Sequence, residues 1–417
     1  MKLENNNRDR RMGYQIDLNK LRIMQWCMFG TLIVESAVTF STFDFLMVFS
    51  YLVLGSCFLF LMFFSIVYAH RPQLTRFDLL TVVFFILLVA ISTVKDASVK
   101  EALFRTVEVF LFLMLVNFYR NDLSTMLKAC CVAFSLCTYA NLVVMVLFPS
   151  WALSTGSAIH GFLLGGNYNQ LGARFLCAII TNILCLKLSK KWWYNLVPLT
   201  FVSILTLAIV GSKTSLSCIS LFLLITIFFS KSIKIKRLIA GAYFAFYILF
   251  QCFVVFSGKG LQDNALAVYI IEDVLKKDLT FTQRTDLWDM ASRLFSESPF
   301  IGYGYVDRDW YLINLSPNAI GPHNFIYSIL LHGGLLLLCV FIAMFLTTYS
   351  NYRQNITHTT TILMLGIDSL LFMQTMEVYP TFFIIYLMIL VNYYPYISKL
   401  WKETQSTQPV QSVEPQE

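Results

Sequence analysis

From residue 21 to residue 398 the chain is a succession of apolar runs, each about as long as a bilayer core is thick, separated by short polar connections. A helix needs roughly 20 apolar residues to cross the hydrocarbon, and only helices and closed barrels can satisfy their backbone groups there. Twelve runs fit helices: 21–40, 45–69, 77–94, 102–119, 123–148, 169–187, 194–211, 213–230, 238–257, 323–348, 359–377 and 380–398. The pattern predicts an all-α, polytopic integral membrane protein with about 12 transmembrane helices. Composition agrees. Only 13% of residues are charged and 57% are hydrophobic, at a mean hydropathy of +0.66; soluble domains carry about 25% charged residues, so a soluble enzyme is excluded.

The ten cysteines all fall inside apolar runs, where they read as small core residues and not as a disulfide or zinc framework. The net charge of +7 is spread over short basic clusters between runs, which orients a membrane protein and implies no nucleic acid. With the N-terminus in the cytoplasm, the inner connections hold 19 Lys and Arg, against three (Lys95, Lys100, Lys213) in the short outer ones. The positive-inside rule therefore puts both ends in the cytoplasm. Residues 1–20 lack an apolar core and a cleavage site, so they read as a cytoplasmic segment and not as a signal peptide. Helices 1–9 occupy 21–257, a long extracytoplasmic loop 258–322, helices 10–12 residues 323–398, and a polar, disordered cytoplasmic tail 399–417.

The long loop contains an amphipathic helix over 283–298, with Leu287, Met290, Ala291, Leu294 and Phe295 on one face, Thr282 as its N-cap and Pro299 beyond its end. It is expected to lie on the membrane or on the bundle mouth. A second, less regular candidate spans 263–277, and a shorter outer loop at 149–168 holds the turn Gly165-Gly166-Asn167.

No phosphate loop, HExxH or dinucleotide fingerprint is present, so the candidate chemistry rests on isolated charges near the outer mouth. Arg284, opening the loop helix, presents a fork of donors suited to phosphate, its alternative being an ion pair with Asp286 or Asp289. His323 and Asn324 stand where the loop re-enters the membrane; the imidazole can take a hydroxyl proton, or simply cap a helix. His332, deeper in the same span, reads as a packed residue. Lys213, in Gly-Ser-Lys-Thr-Ser (211–215), can hold a phosphate or snorkel to headgroups. Arg174 sits within the sixth span and can bind an anion or pair with Glu377 or Glu108. Asp307-Arg308-Asp309 has metal-binding spacing but is common in solvated loops. Trp288, Tyr303, Tyr305, Trp310 and Tyr311 offer faces for sugar stacking or belong to an interfacial belt.

In order and placement, these elements resemble the bacterial O-antigen polymerase and O-antigen ligase family over residues 211–345. The resemblance rests on the small-residue turn with Lys213, on Arg284 and Trp288 followed by Pro299 and Gly302-x-Gly304, and on His323-Asn324 opening a span that contains Gly334. Family members often have Arg where this chain has Lys213, and ligases often have a second glycine where this chain has Leu337, which favours the polymerase branch. The resemblance implies an inverting, metal-independent glycosyltransferase of the cell membrane that uses no cofactor. Its donor is an undecaprenyl pyrophosphate-linked oligosaccharide, and its active site faces outward. It further implies that a polymerase works beside a flippase and a chain-length regulator in making capsule, exopolysaccharide or O-antigen. In that reading His323 and Arg284 are catalytic, and Arg284, Lys213 and Arg174 bind pyrophosphate. Asn324, Trp288, Tyr303 and Arg308 contact substrate. The rival reading is a transporter or flippase for lipid-linked oligosaccharide, with Arg174, Glu35 and Asp368 on its pathway.

Overall fold

The structure is a computed structural model and describes residues 18–37, 73–149, 170–229, 231–257 and 284–399 except 318, 320 and 379, together with 48, 52, 55, 56 and 59. Among the described residues it is all helix, without strands. In chain order the helices are α1 (Leu18–Ala37), α2 (Arg76–Val94), α3 (Val99–Phe118), α4 (Leu123–Leu147), α5 (Leu171–Leu188), α6 (Trp193–Ile209) and α7 (Lys213–Phe228). They continue with α8 (Ile233–Phe250), α9 (Arg284–Glu297), α10 (Arg308–Asn314), α11 (Phe325–Gln354), α12 (His358–Met373) and α13 (Thr381–Asn392).

Six helical stretches, at α2, α4, α5, α6, α8 and α11, are long and apolar enough to cross a membrane. Four shorter apolar ones lie at α1, α7, α12 and α13. The expected count of about 12 is therefore not reached among the described residues. The run at 45–69 lies outside them but for five positions, and α3, expected as a span, carries Lys100, Glu101, Arg105 and Glu108. The 263–277 candidate, the 149–168 loop beyond Pro149 and the tail beyond Lys399 also lie outside the described residues.

The centre of the bundle is α5, α12 and α13, which are apolar and buried on nearly every side, as helices enclosed by others must be. Lipid gives little hydrophobic drive between helices, so close approach through small residues matters more. A Cβ added to Gly172 of α5 would sit 2.3 Å from Ser215 Oγ of α7, and one on Gly366 of α12 would sit 2.3 Å from Ile180 of α5. Aromatic edges fill the remaining space, with Phe112 and Phe134 against Tyr386 at 5.7 and 5.6 Å. On the side bearing most of the basic residues, the Tyr393 hydroxyl donates to Asp78 (2.8 Å) and accepts from Asn117 (3.3 Å). That contact ties together the start of α2 and the ends of α3 and α13. Thr75 and Asp78 form a capping box on α2, and Thr357 and Thr360 another on α12.

The opposite side carries the loop 284–324. Its helix α9 covers most of the expected amphipathic segment and packs its apolar side on residues of α11. Trp288, Ala291 and Leu294 are buried in one cluster with Val255, Tyr327, Leu330 and Leu331. The tenth span, expected as one helix over 323–348, is instead broken. Gly333 (φ −148°, ψ 16°) and Gly334 (φ +59°, ψ −157°) leave helical geometry within α11. The freed backbone groups pair with the segment 299–304: Leu335 N–H donates to Pro299 O (2.8 Å), Leu336 N–H to Phe300 O (3.1 Å), Tyr303 N–H to Leu331 O (2.7 Å) and Gly304 N–H to His332 O (3.0 Å). Irregular backbone at such a depth is tolerated where protein satisfies it. The fit needs glycine, since a Cβ on Gly334 would lie 2.3 Å from the Phe300 carbonyl carbon and one on Gly302 (φ +60°) 2.5 Å from Leu331 O.

Candidate functional site

His323 and Asn324 enter α11 with different tasks. Asn324 is its N-cap: Oδ1 accepts from Ile326 N–H (3.0 Å) and Tyr327 N–H (3.1 Å), and Nδ2 donates to Gln251 Oε1 (3.1 Å) and Thr375 O (3.4 Å). The side chain is 0% exposed, so all of its hydrogen-bonding capacity goes to the scaffold. His323 is held at φ +48°, a left-handed backbone that costs a non-glycine residue of order 1–3 kcal/mol and gathers at functional sites. Its Nδ1 lies 3.1 Å from Glu377 Oε2, in the turn between α12 and α13. A carboxylate there can only accept, so Nδ1 carries a hydrogen, and in the neutral imidazole Nε2 keeps its lone pair.

Around this pair several helix ends meet. Phe325 N–H donates to Gln374 O (2.9 Å). Gln170, at the start of α5, donates through Nε2 to Val378 O (3.2 Å), and its carbonyl accepts from Arg174 Nη1 (2.9 Å). Arg174 is 3% exposed, with its guanidinium 5.3 Å over the Phe383 ring. The carboxylates considered as its partners are engaged elsewhere, Glu377 by His323 and Glu108 by Arg105 (3.0 Å). Lys213 opens α7 and is exposed, two residues from the Ser215 contact with Gly172. Arg284 opens α9, one turn before Trp288, in whose cluster Met376 also packs. The starts of α5 and α11 thus meet at the turn before α13, with the start of α7 packed on that of α5, each a positive dipole end that favours an anion. Gln251 Nε2 and both polar atoms of the Gln374 amide are buried there without hydrogen bonds, which makes the floor beneath the His–Glu pair polar.

The remaining candidates sit elsewhere on the loop. Trp288 is 0% exposed, so neither face of its ring is open to a sugar. The Tyr303 hydroxyl lies 2.8 Å from Leu294 O and 3.2 Å from the Glu297 carboxylate, and its ring centroid is 5.1 Å from that of Trp310. Shielding from water, and then the Glu297 charge, push its ionisation up to about 12. Arg308 is exposed at the first position of α10. Asp307 caps that helix, accepting from Trp310 N–H (3.0 Å) and the Ser98 hydroxyl (2.7 Å), which hold its carboxyl below the usual range. The Asp307–Asp309 spacing is thus used for a helix start, and no group of three or more metal-ligating side chains occurs among the described residues. These residues are anchored to the α2–α3 turn, where Ser98 N–H also donates to Tyr305 O (3.0 Å). His332 is packed, with its ring stacked on Tyr305 at 4.9 Å and Nε2 3.2 Å from the Tyr311 hydroxyl. Asp368, buried in α12, has one carboxylate oxygen without a hydrogen bond. The side chain of Glu35 lies outside the described residues.

Residues 198–342, from α6 through the loop to the second half of α11, match the family model described as O-Antigen ligase. Over that stretch, about a third of its length, the chain is similar to the O-antigen ligase family. The matched stretch contains Lys213, Arg284, Trp288, Tyr303, Arg308, His323 and Asn324, along with both glycine elements of the α11 joint. Arg174 and Glu377 lie outside it, and the fold brings them to the same end of the bundle. No curated protein matches the chain. The match and the apolar helices together support a multi-pass membrane protein of glycan processing.

Proposed function

We propose that the chain is a polysaccharide polymerase of the cytoplasmic membrane, acting at its outer face. It transfers a growing glycan from undecaprenyl pyrophosphate onto a lipid-linked repeat unit. The observation that supports this reading is the His323–Glu377 pair, set where the starts of α5 and α11 meet the turn before α13. The acceptor hydroxyl attacks the anomeric carbon of the donor while the bond from that carbon to the phosphate oxygen breaks, inverting the configuration. The hydroxyl proton passes to His323 Nε2, and Glu377 stabilises the imidazolium through Nδ1–H. The electron pair leaves on the pyrophosphate, whose growing charge is met by Arg284, Lys213 and Arg174. Asn324 positions His323 by fixing the start of α11.

His323→Ala and Arg284→Ala are each expected to abolish polymer while the protein remains in the membrane at normal level; normal-length polymer in either variant overturns the assignment. Deleting the gene and analysing surface glycan separates the branches of the family. A single repeat unit on the acceptor marks a lost polymerase. Long polymer stranded on its lipid carrier marks a ligase, the second reading, which the description of the matched family favours. Repeat units trapped inside mark a flippase.

A further inference from the structure

The side opposite the candidate site holds a second gathering of charge with a different character. Lys236, the fourth residue of α8, is only 3% exposed, and its ammonium makes no hydrogen bond or ion pair among the described residues. Lys187, in the last turn of α5, and His358, the first residue of α12, lie close enough to Lys236 and to each other for their charges to repel. The His358 Nδ1 is shielded and has no hydrogen bond. Arg237 stands beside this group, near enough to Tyr352 to act on its hydroxyl. In sequence, 186–193, 229–237 and 349–361 contain no Asp or Glu; the carboxylate that acts on Tyr352 along with Arg237 is Asp368, deeper in α12.

A buried lysine ordinarily pairs or snorkels to water. Here the stem is buried, the ammonium has no partner among the described residues, and its neighbours are of like charge, an arrangement that costs free energy until an anion enters. The starts of α8 and α12, capped by Ser232 and Thr357, add two positive dipole ends. Basic pockets between spans on the positively charged side of a membrane protein suit phosphate headgroups.

We propose that Lys187, Lys236 and His358 form a phosphate-binding site on the basic side of the bundle, separate from the transfer site on the loop side. Its ligand is a phosphate ester or phosphate ion, supplied by an anionic lipid headgroup or by free phosphate.

The test is thermal unfolding of the full chain in neutral detergent, titrated separately with phosphatidylglycerol, phosphatidylcholine and inorganic phosphate. Phosphatidylglycerol is expected to raise the midpoint and phosphatidylcholine to leave it unchanged. A rise with inorganic phosphate as well makes free phosphate sufficient; a rise with the lipid alone assigns the headgroup. Lys236→Gln and Lys187→Gln should each weaken the half-effect concentration about fivefold, the worth of one cation near a charged surface. Lys187 is exposed, so its variant keeps the test valid if Lys236→Gln folds poorly. The response must persist in Arg284→Ala, which separates it from phosphate binding on the loop side. A flat response in both phosphate arms, an undiminished response in the two lysine variants, or its loss in Arg284→Ala would overturn the proposal.

Discussion

Replacing Gly334 by alanine should cost about as much stability as any single change in the molecule. At φ +59° and ψ −157° the residue occupies backbone space open essentially to glycine alone, which strains an alanine by about 1–3 kcal/mol. The new Cβ would also lie 2.3 Å from Phe300 C and 2.5 Å from Ile301 N and Phe300 O. These are backbone atoms, so no side chain can turn aside, and overpacking adds about 1–3 kcal/mol. The alternative is that residues 299–304 leave α11. That breaks the four hydrogen bonds to Leu335, Leu336, Leu331 and His332, which at a net of about 0.5–1.5 kcal/mol each come to the same range. Either route predicts a loss of about 2–6 kcal/mol.

Gly321→Ala is the matched control. It lies in the same loop, is not at positive φ, and a Cβ there meets nothing within 4 Å, so its effect should stay within about 0.5 kcal/mol. Unfolding can be followed with a thiol-reactive dye, because Cys130, Cys131, Cys177 and Cys185 are 0% exposed and add signal only when the core opens. The Gly334→Ala midpoint should fall by several degrees below that of Gly321→Ala. Coincident midpoints would refute the reasoning that the break in α11 is locked by the loop.

Two further changes probe the loop side. Glu377→Gln should leave the protein folded and in the membrane but lower polymer formation by about 10²–10⁴-fold, since an amide can hydrogen-bond Nδ1 yet cannot stabilise the imidazolium; wild-type glycan from this variant would remove Glu377 from the reaction. For Asp307, the anion is favoured in the fold by Trp310 N–H and then by Ser98, so its stabilisation is present above the ordinary value of 3.8 and disappears as pH falls through the depressed one. The wild type should accordingly be more stable than Asp307→Asn near neutrality, with the gap closing in acid; a gap independent of pH in unfolding midpoints would contradict that role.

How much of this was open to a reader of the sequence depends on whether neighbours or only faces were at issue. The apolar runs placed most helices within a few residues, and the spacing of Leu287, Ala291 and Leu294 showed which side of α9 turns inward. The same spacing could not say what that side meets, and Trp288, suggested as a sugar platform, proves to be the centre of the contact. Gly302, Gly304 and Gly334 were visible as separate signals, but that they form one joint is a fact of contact across some thirty residues. Glu377 was read as a partner for Arg174 because both are charges in apolar surroundings. The ends of α11 and α12 decide otherwise, by setting it 3.1 Å from His323. Arg105 and Glu108, three apart on one helix, form a pair whose spacing alone could have revealed it.

The joint between residues 299–304 and α11 also bears on how the protein is made and how it can be recombined. The loop is synthesised before Gly333 and Gly334, so the strand of chain that completes the broken helix already exists when that helix emerges. A hybrid between two relatives that takes its loop from one and its tenth helix from the other would separate halves shaped against each other. Crossover points should therefore fall outside 299–336, and that stretch should be exchanged as a single cassette.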